Sequence, residues 1–143
     1  MTRAVLDDLL LRDLLADDVS EGLAEVLAGH EPATTNLYLY RLSKSVVAAP
    51  GGALTGRWSP ERRRALGSKL LSLPNDVVIV PMSALSYRMA EIAAAHRVST
   101  LGAECVAAAE HLGAPLYVWE GDDGPGIRAA MDHLDLDYRT VGR

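Results

Sequence analysis

Several features that would direct a functional assignment are missing from this chain of 143 residues. It has a single cysteine, Cys105, which excludes an internal disulfide and any zinc site built from several cysteines. It has no phenylalanine, and its 14 basic residues are outnumbered by 19 acidic ones, giving a net charge of −5. Such a chain lacks the broad basic face with which most nucleic-acid-binding proteins contact phosphates, although a local basic site is compatible with this charge.

Long uninterrupted apolar runs are missing as well. The amino-terminal stretch is rich in leucine, but Asp7, Asp8, Arg12 and Asp13 interrupt it. A secretory leader tolerates few such charges, and no apolar run approaches the roughly 20 residues that a bilayer requires. The sequence therefore predicts a cytoplasmic protein without a membrane contact.

What is present is the composition of a globular domain, with 49% hydrophobic and 23% charged residues. The length fits one domain, so residues 1–143 are predicted to fold together. Short apolar runs predict strands at residues 3–7, 77–80, 116–119 and 137–141, and helical patterns separate them. Ser20 and Ser59 are predicted to cap two of these helices, and residues 33–36 are predicted to form a turn. This alternation predicts an α/β/α three-layer sandwich around a parallel sheet of four to five strands.

Two further segments bear on the fold. Pro50-Gly51-Gly52 is the strongest break in the sequence, and residues 51–58 after it are predicted to form an exposed or loosely packed loop. Residues 101–120 predict a small, alanine-rich helix that leads directly into a buried strand. Cys105 lies on the apolar side of that helix, where a small buried side chain is a better interpretation than a nucleophile.

Acidic residues follow two of the predicted strands. Asp7 and Asp8 come after the first strand, and Glu120, Asp122 and Asp123 come after the strand at residues 116–119. If these strands are neighbours, their carboxylates converge at the sheet edge where open α/β folds place ligands. Carboxylate oxygens are the ligands that Mg²⁺ prefers. The alternative is that acids at helix N-termini only complement the helix dipole, which suits Asp122 and Asp123 best.

Taken together, Val5-Leu6-Asp7, the Ala33-Thr34-Thr35 helix entry and the stretch LGAECVAAAEHLGAPLYVWE resemble a PIN domain, the fold of VapC-type ribonuclease toxins. The resemblance spans most of the chain on short motifs. It implies an α/β/α sandwich with a parallel sheet. In active members it also implies an Mg²⁺ or Mn²⁺ site of three or four acids that cuts RNA, and it implies homodimers and toxin–antitoxin-like partners.

The acids that the resemblance implies are only partly present. Asp7 stands at the family's first aspartate, whereas Tyr40 and Arg41 stand where a glutamate is expected. Gly102 occupies the place of the third acid, with Glu104 two residues later as an imperfect substitute. The fourth acid falls at Glu120, with Asp122 nearby. Arg41 is predicted to place a cation where the metal would sit, in a pair with Asp7.

Two other clusters have a functional and a structural interpretation. Tyr38, Tyr40 and Arg41 could stack on bases or bind phosphate. Because residues two apart do not share a helix face, at least one of the tyrosines is predicted to pack in the core. The basic residues Arg57, Arg62, Arg63, Arg64 and Lys69 could contact a nucleic acid or an acidic partner, but the solvated face of a helix is the favoured interpretation.

Two functional hypotheses follow. The preferred one is a degenerate PIN-like domain without nuclease activity and without a cofactor, which binds a protein or RNA partner through Tyr40 and Arg41. The alternative is an Mg²⁺- or Mn²⁺-dependent ribonuclease with a reduced acidic site. Its catalytic residues would be Asp7, Glu104 and Glu120, and its metal ligands would be Asp7, Glu120 and Asp122.

Overall fold

The computed structural model describes residues 2–48 and 51–142. Within them the chain forms five strands, at Thr2–Leu6 (β1), His30–Thr34 (β2), Val78–Ile79 (β3), Leu116–Trp119 (β4) and Tyr138–Val141 (β5). The predicted break at Pro50 lies outside the described residues.

The helices of the described part fill the intervals between the strands. They are Asp8–Leu15 (α1), Glu21–Gly29 (α2), Asn36–Val47 (α3), Pro60–Leu71 (α4), Met82–His96 (α5), Thr100–Leu112 (α6) and Pro125–His133 (α7). A single 3₁₀ turn, Glu120–Asp122, follows β4. Across residues 2–48 and 51–142, no helix combines the length and the apolar character needed to span a bilayer.

The strands form one parallel sheet in the order β3-β2-β1-β4-β5. On one face the core joins the sheet to α5, α6 and α7, and on the other face α1 to α4 pack in two smaller clusters. The predicted α/β/α three-layer sandwich with a parallel sheet is therefore confirmed. Cys105 is fully buried in the first of these clusters, as predicted.

Strand β2 was not predicted from the sequence, which indicated a turn near its end. Its sequence HEPAT offers only one strongly apolar side chain and includes Pro32. A proline is tolerated here because β3 pairs only with Ala33 and Thr34, so Pro32 has a strand neighbour on one side only. Pairing with β1 along Thr2–Val5 thus makes a strand of a segment with weak intrinsic preference.

Helix starts are where the sequence is most informative. The side chains of Ser20 and Ser59 accept hydrogen bonds from Leu23 N and Arg62 N, so both predicted caps are confirmed. Thr35 and Ser99 cap α3 and α6 in the same way. Each cap satisfies one of the backbone N–H groups that a helix start leaves without an internal partner.

The loop at residues 51–58 was predicted to be exposed or loosely packed, and this holds only in part: Ala53, Gly56 and Arg57 are exposed, whereas other residues of the loop pack against the helices. Thr55 is fully buried, and its Oγ1 lies 3.0 Å from Ser45 Oγ on α3. Leu54 and Trp58 pack against the cluster formed by α1, α3 and α4. The Arg62 guanidinium lies 3.7 Å from the centre of the Trp58 ring. The loop therefore packs against the helices α1, α3 and α4.

Candidate functional site

The candidate site lies at the edge of the sheet where β1 and β4 end. These two strands are neighbours, with Leu6 in register with Tyr117. Asp7 directly follows β1, and the 3₁₀ turn that contains Asp122 directly follows β4. The carboxyl ends of parallel strands share one edge, so the topology brings together acids that are more than a hundred residues apart in sequence.

Three carboxylates meet at this edge. One oxygen each from Asp7, Asp8 and Asp122 lies within 4.8 Å of the other two. Asp7 and Asp8 are buried, with 1% and 0% of their surface exposed, whereas Asp122 is exposed. The predicted convergence of Asp7 and Asp122 is thus found. Asp8 was not among the predicted metal ligands, although its position directly after Asp7 is the signal that could have identified it.

Both carboxylate oxygens of Asp7 accept backbone hydrogen bonds. Oδ1 accepts from Leu10 N at 2.9 Å and so caps α1, while Oδ2 accepts from Trp119 N at 3.0 Å and so ties the end of β1 to β4. Burial raises the pKa of Asp7 to about 7; the two hydrogen bonds oppose this shift, and Asp8 and Asp122 add to it. Asp7 is therefore only partly ionised at neutral pH.

The raised pKa of Asp7 predicts that stability falls as pH rises. The folded state keeps the Asp7 proton up to about pH 7, whereas the unfolded chain releases it near the ordinary aspartate pKa of 3.8. Between pH 5 and pH 8 we expect the free energy of unfolding to drop by about 2–3 kcal/mol, measured by urea denaturation. Asp7→Asn should remove most of this slope, leaving a part from Asp8, whose pKa burial also raises. If the free energy of unfolding of Asp7→Asn depends on pH as strongly as that of the wild type, Asp7 is not the group that causes this dependence.

Arg41 projects from α3 to the same edge and pairs with Asp8. Its Nη1 lies 3.2 Å from Asp8 Oδ2, and its side chain is 45% exposed while that of Asp8 is fully buried. The predicted partner was Asp7, but that carboxylate is turned toward Leu10 and Trp119 by its hydrogen bonds. Asp8 instead opens α1, which packs against α3. Burial raises the pKa of Asp8, and the Arg41 charge opposes that shift.

Glu104 lies outside the group of converging acids. It is fully buried, and its carboxylate accepts hydrogen bonds from Asn36 N at 3.2 Å, Asn36 Nδ2 at 2.7 Å and Leu37 N at 2.8 Å. It therefore holds the first turn of α3, where a carboxylate complements both free N–H groups and the helix dipole. This contact gives Glu104 a structural role that the sequence did not indicate.

Glu120 is also outside the group. Its carboxylate lies beside Gly142, after β5, where an added Cβ would come within 2.9 Å of Glu120 Oε2. Of the four acids predicted from the sequence for catalysis or metal binding, the structure thus brings together Asp7 and Asp122, and Asp8 joins them. Glu104 and Glu120 contact other parts of the described chain.

The two tyrosines of α3 separate as predicted. Tyr38 is 3% exposed and packs in the core, whereas Tyr40 is 61% exposed. Tyr40 directly precedes Arg41 on α3, and both side chains reach the surface, with the guanidinium of Arg41 beside Asp8. This pair is the part of the predicted binding surface that solvent can reach.

A cavity of about 540 Å³ opens beside the converging acids. Its walls are formed by Leu9, Arg12, Arg41, Leu54, Trp119 and Asp122, among others. The Arg12 guanidinium is held in place because it donates to Leu54 O at 2.7 Å and lies 3.0 Å from Asp13 Oδ1. The cavity therefore combines apolar walls with charges of both signs, and its size is in the range of ligand-binding clefts.

Two of the basic residues of α4 pair with acids of the same chain, and a third donates to a backbone carbonyl. Arg62 pairs with Asp18 at 3.2 Å, Arg64 pairs with Glu61 at 3.7 Å, and Arg63 donates to Ala48 O. The favoured interpretation of a solvated helix face therefore agrees with the contacts of these three side chains.

Comparison with known proteins identifies a fold but not a family. No protein-family model matches the chain, and no curated protein matches it in sequence. Among solved structures, it is similar to the crystal structure of PAE2754 from Pyrobaculum aerophilum, with a TM-score of 0.54 and 14% identity over 90% of this chain and 84% of that chain. A likeness at this identity supports the α/β/α fold alone.

Proposed function

We propose that this chain is a PIN-like domain whose acidic site no longer supports nuclease activity, and that it acts as a binding module for another protein. The observation that carries the proposal is the position of Arg41, whose guanidinium lies 3.2 Å from the buried carboxylate of Asp8. The PIN resemblance implies a glutamate at or next to this position. A cation beside the acids repels a second cation and competes with it for the same oxygens.

The converging acids fit Mg²⁺ or Mn²⁺ only in part. Three carboxylates are the right ligand type for a hard divalent ion. Against this, both Asp7 oxygens accept backbone hydrogen bonds, its pKa is about 7, and the Arg41 charge lies 3.2 Å from Asp8 Oδ2, although the two atoms form no hydrogen bond. The donor set therefore fits a catalytic metal only in part, and these side chains favour the binding module over a hydrolytic enzyme.

The surface beside the acids favours a protein over RNA as the partner. Tyr40 is 61% exposed next to Arg41, and tyrosine and arginine are the residue types that contribute most at protein interfaces. The cavity that Arg41 lines has apolar walls at Leu9 and Leu54. A net charge of −5 and the paired arginines of α4 disfavour a nucleic acid. A second copy of the chain is one such protein, and light scattering distinguishes a dimer from a monomer.

The alternative function is a metal-dependent ribonuclease, and the convergence of Asp7, Asp8 and Asp122 is the observation in its favour. Such an enzyme would depend on these three acids rather than on Glu104 and Glu120. It would also require Arg41 to leave Asp8 when the ion binds.

Two assays on the wild type separate the two functions. We expect calorimetric titration of Mn²⁺ to give a Kd weaker than about 1 mM, because Arg41 opposes the ion. We also expect no cleavage of single-stranded RNA above that in excess EDTA. Micromolar binding and divalent-dependent cleavage, both lost in Asp122→Asn, would establish the ribonuclease instead.

Two surface tyrosines, Tyr40 and Tyr87, test whether a partner protein binds at the Tyr40 surface. A bound protein should be retained by the wild type and by Tyr87→Ala, which removes an 82% exposed ring on α5, and lost by Tyr40→Ala. Equal retention by both variants would contradict the Tyr40 surface. Binding of a fluorescent single-stranded RNA that is lost only in Tyr40→Ala would show that the partner is RNA.

A further inference from the structure

A second cavity, of about 480 Å³, lies on the sheet between α2 and β5 and shares no lining residue with the cavity beside the acids. It is called the α2–β5 groove below. It exists because α7, which connects β4 to β5, packs with α5 and α6 on the opposite face of the sheet. The face beside α2 is therefore left open next to Tyr117 and Arg139.

Three glycines shape the α2–β5 groove. Gly22 lets α2 approach the chain after β5, since a Cβ there would come within 2.9 Å of Gly142 O. At Gly29, an added Cβ would meet no atom within 4 Å. With Gly142, these residues line the groove without a side chain that would fill it.

Two aromatic rings form the floor and one wall of the α2–β5 groove. Tyr117 is 7% exposed, and its ring centre lies 5.9 Å from that of His30 at an angle of 55°. Thr2 Oγ1 lies 2.8 Å from His30 Nδ1, which holds the imidazole in one orientation. A pair of tilted, fixed rings offers a planar ligand group both a face and an edge to pack against.

Opposite charges line the two sides of the α2–β5 groove. Glu25 stands on the α2 side and Arg139 on the β5 side. Asp137 and, less strongly, Tyr117 raise the pKa of Arg139. Arg139 Nε donates to both oxygens of Asp137, at 3.0 and 3.1 Å, but both side chains are exposed, so a ligand carboxylate can compete with Asp137 for the guanidinium.

We propose that the α2–β5 groove binds a small zwitterion that carries an amine, a carboxylate and a planar ring, which is the chemistry of a free aromatic amino acid. The carboxylate pairs with Arg139, the amine pairs with Glu25, and the ring packs on His30 and Tyr117. The cavity volume is in the range of small-molecule sites. This site shares no residue with the acids or with Arg41, so its test and the test of the proposed function have independent outcomes.

The test is a titration followed by two-dimensional ¹H–¹⁵N NMR. The ligands are L-phenylalanine, L-tryptophan and L-histidine, with phenethylamine and 3-phenylpropionate as analogues that lack the carboxylate or the amine. We expect saturable shifts at the amides of Gly22, Gly29, Tyr117 and Gly142 with a Kd of about 1 mM or lower for at least one amino acid. Each analogue of phenylalanine should bind about tenfold more weakly than phenylalanine itself.

Matched variants test whether the NMR shifts depend on the charges of Arg139 and Glu25. Arg139→Gln and Glu25→Gln should each weaken binding about tenfold. Arg128→Gln, which removes an arginine from a similar exposed pair with Asp123 on α7, should leave it unchanged. The proposal is overturned if no amino acid gives saturable shifts in the groove, if the analogues bind as well as phenylalanine, or if Arg128→Gln has the same effect as Arg139→Gln.

Discussion

Replacing Arg41 by glutamate is expected to convert the acids at the β1–β4 edge into a divalent-cation site. The substitution removes the charge that lies 3.2 Å from Asp8 and adds a fourth carboxylate near Asp7, Asp8 and Asp122. We expect Mn²⁺ to bind Arg41→Glu at least about tenfold more tightly than the wild type, measured by isothermal titration calorimetry. Because four acids repel one another without an ion, the variant should also unfold at a lower temperature, and Mn²⁺ should restore that loss.

Arg64→Glu is the matched control for this experiment. It makes the same change of charge on α4, where Arg64 is exposed and lies 3.7 Å from Glu61. Mn²⁺ should bind this variant no better than the wild type. If Arg41→Glu keeps its circular dichroism spectrum but binds no Mn²⁺, Arg41 is not the group that opposes the ion. An equal gain in both variants would show a general effect of net charge instead.

Truncating Glu104 to alanine is expected to cause the largest loss of stability among the substitutions proposed for this chain. Its carboxylate is fully buried and accepts three hydrogen bonds from Asn36 and Leu37 at the start of α3. Glu104→Ala leaves the backbone N–H groups of Asn36 and Leu37 without this acceptor, while Asn36 Nδ2 keeps only Val80 O, and it opens a cavity between α3 and α6. We expect the free energy of unfolding to fall by about 3 kcal/mol or more in urea denaturation at pH 7.

Glu110→Ala is the control on the same helix. Glu110 pairs with Arg88 at 2.7 Å, but both side chains are more than one-third exposed, so its loss should cost less than about 1 kcal/mol. Glu104→Gln, which keeps one acceptor oxygen, should lose less stability than Glu104→Ala. Similar losses for Glu104→Ala and Glu110→Ala would contradict the structural role of Glu104 and would reopen its assignment to the acidic site.

The class of the fold could be predicted because its signals are local. The apolar run of β4, the capping serines before α2 and α4, and the alternation of strands and helices are each visible within a few residues. Strand β2 could not be predicted, because a segment with a proline and three polar residues becomes a strand only through its pairing with β1. The packing of the loop at residues 51–58 also depends on a distant partner, the Ser45 hydroxyl that meets Thr55.

The candidate site was likewise predicted from the sequence only in part. The sequence by itself determined that Asp7 ends one strand and Asp122 follows another, and therefore that carboxylates would meet if those strands were neighbours. Only the tertiary structure decided that Arg41 pairs with Asp8, since both Asp7 oxygens are already bound to backbone N–H groups of α1 and β4. It likewise decided that Glu104 holds α3 rather than joining the acids. The position of a residue along the chain fixes which element carries it, whereas its hydrogen-bond partners depend on how the elements pack.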